Sequence, residues 1–150
     1  MNANAHRRVL LADDDPEVRG ILNYVLRQQN LAVDLAVDGA EALDLLRDNR
    51  YSVVILDLMM PGVDGFGVLD AIYSGEVAEP PVVLVVSGAD RATLNRLDAS
   101  RIHGIVRKPF DPNELAAVVV ACVDIRGRNT FETMAMAMIS SAPIIAWLKM

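Results

Sequence analysis

Three acids stand together at Asp13, Asp14 and Asp15, and a fourth, Asp57, ends a separate apolar run, Val53-Val54-Ile55-Leu56. One aspartate before a helix is explained by capping, because its carboxylate accepts a hydrogen bond from the free amides of the first turn. Asp15, followed by Pro16, fits that role. Asp13 and Asp14 need another account, since two carboxylates about 4 Å apart at an effective dielectric near 20 repel by roughly 4 kcal/mol. A cation would relieve the repulsion. Oxygen donors without neighbouring His or Cys favour magnesium. Ser87-Gly88 and Lys108-Pro109 follow two further apolar runs, adding a hydroxyl and an ammonium. A carboxylate acceptor, a metal, a hydroxyl and a cation together are what a transferred phosphoryl group requires.

These residues meet only if their runs end at one edge of a sheet. Apolar runs at Val9–Ala12, Ala32–Val37, Val53–Leu56, Val82–Val86 and Gly104–Val106 read as five strands. Helical periodicity fills the gaps at Pro16–Gln28, Gly39–Arg47, Gly65–Ser74, Arg91–Asp98 and Pro112–Val123. Strict alternation predicts an α/β fold, a doubly wound five-stranded parallel sheet with helices on both faces. Strands three and four lack polar alternation and suit the interior. Asp34 in the second suits a strand nearer the edge. In such sheets ligands sit at the carboxyl ends of the strands, where all the residues above fall.

Composition narrows the functions. Apolar residues make up 53% and charged residues 23%, enough to fill the core of one ordinary domain. Fourteen Lys and Arg against twenty Asp and Glu give a formal charge of −6, which argues against direct nucleic-acid binding. The single Cys122 excludes an internal disulfide and a Cys-based zinc site, and its apolar surroundings suggest a buried thiol. No signal-peptide core or membrane span is read, since the apolar stretch 134–148 is interrupted and falls short of the roughly twenty residues a span needs. A cytoplasmic location is expected. There is no Gly-rich phosphate loop followed by Lys and Ser or Thr, and His6 and His103 receive no role.

Over roughly Arg8 to Val123 the chain resembles the receiver domain of bacterial response regulators. The resemblance is carried by Val9-Leu10-Leu11-Ala12-Asp13-Asp14-Asp15, Leu56-Asp57-Leu58-Met59-Met60-Pro61-Gly62, Val86-Ser87-Gly88 and Lys108-Pro109-Phe110. It implies a flavodoxin-like sheet of order 2-1-3-4-5 and a receiver domain over 8–124. It also implies that Asp57 accepts a phosphoryl group from a sensor histidine kinase, a histidine phosphotransfer protein or a small donor. Mg2+ would be held by Asp13, Asp14, Asp57 and the backbone carbonyl of Met59. Ser87 and Lys108 would contact the phosphoryl group, and the Lys108–Pro109 bond would be cis. The expected output is altered binding of a downstream protein, as in a chemotaxis-regulator-like single-domain receiver, or passage of the phosphoryl group onward in a phosphorelay, because the residues after Val123 are expected to leave no room for an effector domain.

Two positions depart from the family pattern. Ile105 stands where members usually carry Tyr or Phe, so a ring rotation is replaced at most by repacking of Ile105. Met59 and Ala89 flank the acceptor without a group that orients water, which predicts slow loss of phosphate. Other readings are an unphosphorylated interaction module and a phosphatase of the haloacid-dehalogenase kind. The second is disfavoured because Met59 occupies the place of that group's second Asp.

The last predicted helix is apolar all round, through Leu115-Ala116-Ala117-Val118-Val119-Val120-Ala121-Cys122-Val123, and must be covered on both faces. The sheet covers one. The extension 125–150, rich in Met and with Trp147, is expected either to pack as extra core or to serve a homodimer or partner contact.

Overall fold

The computed structural model describes residues 7–128 and 145–146, with side chains over 7–125. Five parallel strands form its centre: β1 Arg8–Ala12, β2 Ala32–Ala36, β3 Val53–Leu56, β4 Val82–Ser87 and β5 Gly104–Arg107. Their order is β2-β1-β3-β4-β5, so β1 and β3 are neighbours and β2 lies at an edge. A short β6, Ile145–Ala146, adds antiparallel to β5 beyond the expected set. Of the predicted packing or dimerisation segment 125–150, residues 125–128 continue the last helix, Pro112–Arg128, and those beyond it other than 145–146 lie outside the described residues.

The alternation of side chains along each strand divides the core. Val9, Leu11, Val53, Ile55, Leu84 and Val86 face one layer, where α1 (Pro16–Arg27) contributes Leu22 and Leu26 and α5 (Pro112–Arg128) contributes Leu115, Val118, Val119 and Cys122. Leu10, Ala12, Val54, Leu56, Val83 and Val85 face the other, where α2 (Gly39–Asp48) supplies Ala42 and Leu46 and α3 (Gly65–Tyr73) supplies Val68, Leu69 and Ile72. Strands buried on both sides need apolar residues at every position, which is why β3 and β4 show no alternation. Only Ala117 in the apolar heart of α5 is exposed, and burial pushes the Cys122 thiol up to about 12.

Capping aspartates start the helices. Asp15, Asp38, Asp64 and Asp90 each accept an amide hydrogen bond within the following turn. Among the predicted helices the fourth differs in kind: α4 spans only Arg91–Leu94, and a 3-10 turn, Ala99–Arg101, precedes β5. The expected helix to Asp98 is cut short because Asp98 accepts from the Ser100 amide and hydroxyl, starting the new turn. Arg96 stacks 4.3 Å from the Phe66 ring and Arg101 pairs with Asp70 at 2.6 Å, fastening this segment to α3.

At the far end of the sheet from the acidic cluster, Asp34 on β2 is held by Arg8 at 2.7 Å and by the Tyr51 hydroxyl at 2.6 Å. Burial, then the Asp34 hydrogen bond and charge, raise the Tyr51 hydroxyl well above the usual tyrosine range. The acid that marks β2 as an edge strand thus has two dedicated partners.

Candidate functional site

The parallel register sets the site. Ala12 pairs with both Ala36 and Leu56, so β1 and β3 end level and the next residues, Asp13 and Asp57, emerge side by side. Backbone hydrogen bonds from Asp57 N–H to the Ala12 carbonyl and from Asp13 N–H to the Ala36 carbonyl continue the ladder one step past the strands. Ser87 pairs with Arg107 at the adjoining strand ends, and the Lys108 N–H donates to the Ser87 carbonyl. Asp13, Asp14, Asp57, Ser87 and Lys108 therefore lie along one edge of the sheet.

Asp13 and Asp57 are buried, at 2% and 5% exposure, whereas Asp14 is exposed. One carboxylate oxygen from each of the three lies within 4.8 Å of the others. The Lys108 ammonium reaches between two of them, 3.0 Å from Asp13 Oδ2 and 3.3 Å from Asp57 Oδ2. Burial, followed by the neighbouring Asp13 charge, raises the Asp57 carboxyl above the ordinary aspartate value, and Lys108 only partly offsets this. Burial works against the Lys108 charge, but the hydrogen bond and charge of Asp13, reinforced by Asp57, outweigh it and hold the ammonium above the ordinary lysine value. One cation thus serves two buried acids that remain partly in conflict. The all-oxygen donor set, open to solvent at Asp14, can coordinate a divalent cation.

The loops around the cluster are fitted to it. Asp57 Oδ1 accepts from the Met59 amide at 3.2 Å, and Asp13 Oδ1 accepts from the Asp15 amide at 2.9 Å. Gly62 has φ +72°, a left-handed conformation that glycine adopts without strain. At Gly65 a Cβ would sit 2.5 Å from the Asp57 carbonyl oxygen, so only glycine lets α3 start against the Asp57 backbone. Ser87 is 1% exposed and its Oγ accepts from the Ala89 amide at 3.1 Å. Lys108–Pro109 is cis, as the family resemblance implies. Ile105 is 6% exposed and packed in the α2 and α3 layer with Ile102 and the partly buried Leu94 and Leu97.

Two contributors were not singled out in the sequence. Arg19, one turn into α1, donates to the Asp13 carbonyl at 2.8 Å and fixes the strand end beside the cluster. Gly65 is the other. Arg19 had no signal, because a long side chain returning to a backbone carbonyl depends on how α1 lies on the sheet. Gly65 had one: a glycine directly after a capping aspartate, where close packing at the helix start rather than helix propensity selects the residue.

The family model of the response regulator receiver domain matches residues 9–120. The chain belongs to this family. Among curated relatives it is 33% identical over 121 residues to the transcriptional regulatory protein ResD of Bacillus subtilis, covering 81% of this chain and 50% of that protein. It is 39% identical over 110 residues to the response regulator MprA of Mycobacterium sp. (strain KMS), covering 73% and 47% respectively. The chain thus spans about half the length of the curated relatives it matches. Among solved structures it superposes on the Francisella response regulator 1452 receiver domain with a TM-score of 0.70 at 29% identity, covering 79% of this chain and 97% of that one. A CheY-like receiver domain from Methanospirillum hungatei shares the fold, with a TM-score of 0.71 at 17% identity over 83% and 98%.

Proposed function

We propose that residues 8–124 act as a phosphorylation switch in two-component signalling, with Asp57 as the phosphoacceptor. One observation carries the reading: a buried aspartate at a strand end shares a lysine with a second buried aspartate, and a third acid stands within 4.8 Å. An Asp57 carboxylate oxygen would attack phosphorus on a phosphohistidine of a sensor kinase or phosphotransfer protein. The oxygen–phosphorus bond forms as the phosphorus–nitrogen bond breaks, and the imidazole nitrogen keeps the electron pair and takes a proton.

Asp13, Asp14, Asp57 and the Met59 carbonyl would hold Mg2+, which when bound neutralises charge on the acids and on the phosphoryl oxygens. Lys108, already ion-paired to Asp57, would follow the new charge onto those oxygens. The Ser87 hydroxyl would turn from the Ala89 amide to donate to one of them. Ser87 and Lys108 sit on adjacent strand ends, so both movements would reach β5 and α4, where Ile105 repacks. The output would be altered affinity for a downstream protein, with the extension 125–150 as a packing or dimerisation element.

The test is exposure to phosphoramidate with magnesium or with a chelator. A hydroxylamine-labile phosphoryl group formed only with magnesium is expected. Its absence in folded protein would favour an interaction module that is never phosphorylated.

A further inference from the structure

Met59 and Met60 are consecutive thioethers in opposite surroundings. Met60 is 6% exposed, whereas Met59 is 59% exposed. The Met59 amide donates to Asp57 Oδ1 at 3.2 Å, so this exposed residue belongs to the loop that holds the Asp57 carboxylate. Met59 and Ala89 have no strong hydrogen-bonding group in their side chains. Any polar atom gained at Met59 would therefore change the rim of the site in kind.

We propose that Met59 is an oxidation site through which peroxides shorten the lifetime of the phosphoryl group on Asp57. The proposal rests on Asp57 being the phosphoacceptor. The thioether sulfur attacks one oxygen of hydrogen peroxide, a sulfur–oxygen bond forms and the oxygen–oxygen bond breaks. The second oxygen leaves as water after proton transfer, so the sulfur loses the two electrons that the peroxide gains. The product, a sulfoxide, turns an apolar side chain into a strong hydrogen-bond acceptor and is reversible by methionine sulfoxide reductases. An acceptor at this rim can hold and orient a water for attack on the acyl phosphate, as the thioether cannot. The buried Met60 supplies an internal reference of the same chemistry.

The test treats the full chain and Met59→Leu with hydrogen peroxide, maps each methionine by peptide mass, then loads phosphoryl groups from phosphoramidate and follows their decay. Met59 should oxidise well ahead of Met60. Decay should become several-fold faster in the oxidised wild type, return to its starting rate after reductase treatment, and stay unchanged in oxidised Met59→Leu. Equal decay before and after oxidation would overturn the proposal, as would equal acceleration in Met59→Leu or equal oxidation of the two methionines. If the untreated protein takes up no phosphoryl group, the phosphoacceptor reading falls and this proposal with it, whatever the oxidation map shows.

Discussion

Replacing Asp57 with Asn should stabilise the metal-free protein and destroy its response to magnesium. The charged Asp57 gains an ion pair with Lys108 at 3.3 Å, worth about 5 kcal/mol at an effective dielectric near 20. Against this stand repulsion from Asp13, with an oxygen within 4.8 Å and about 3 to 4 kcal/mol on the same scale, and a burial penalty of about 3 kcal/mol. The balance leaves the charge about 1–2 kcal/mol unfavourable, in keeping with the raised carboxyl. Asn keeps the shape, and Lys108 retains Asp13. Removing the charge should therefore raise Tm by roughly 3–10 °C without metal. With magnesium at a hundred times its dissociation constant, the wild type gains about 2.7 kcal/mol, and the order of stabilities should reverse. Thermal denaturation of both proteins with chelator and with magnesium makes the comparison. A less stable Asp57→Asn protein in chelator, or equal magnesium stabilisation of both, would refute the argument.

Three further outcomes follow from the geometry. Magnesium requires the ionised carboxylate, and Asp57 takes up its proton at a higher pH than an ordinary aspartate, so affinity should begin to fall on acidification while exposed aspartates are still ionised. Calorimetric titration over a pH series checks this, and affinity that stays flat until the ordinary aspartate range would count against it. Met59→Asn should speed decay of the acyl phosphate, because an amide can orient the attacking water, and an unchanged rate measured by phosphoryl release would remove the idea. Asp34→Ala should cost about 1–2 kcal/mol in urea denaturation, since it removes the carboxylate that accepts from the Tyr51 hydroxyl and pairs with Arg8 at a half-exposed site. Tyr51→Phe, which leaves the ion pair intact, should cost less.

The fold and the site were legible to different depths for physical reasons. Runs such as Val82–Val86 declare a strand covered on both faces, and Asp13, Asp57, Ser87 and Lys108 follow four such runs, so the parallel arrangement alone brings them together. Asp34 gave away an edge strand because an interior strand has no room for its Arg8 and Tyr51 partners. The fourth helix was overextended because Asn95–Leu97 continues a helical pattern while a local competitor, the Asp98 cap, ends it. Nothing in Ile145–Ala146 announced β6, since two residues carry no period and their pairing depends on the free edge of β5. Lys108 was expected near the acceptor, but its division between Asp13 and Asp57 depends on distances that residue types do not encode.

Intact mass reads out whether Asp57 accepts a phosphoryl group. Wild type and Asp57→Asn are incubated with magnesium and phosphoramidate side by side. A gain of one phosphoryl group is expected in the wild type alone. Equal gain in both proteins, or none in a folded wild type under any small donor, would contradict it.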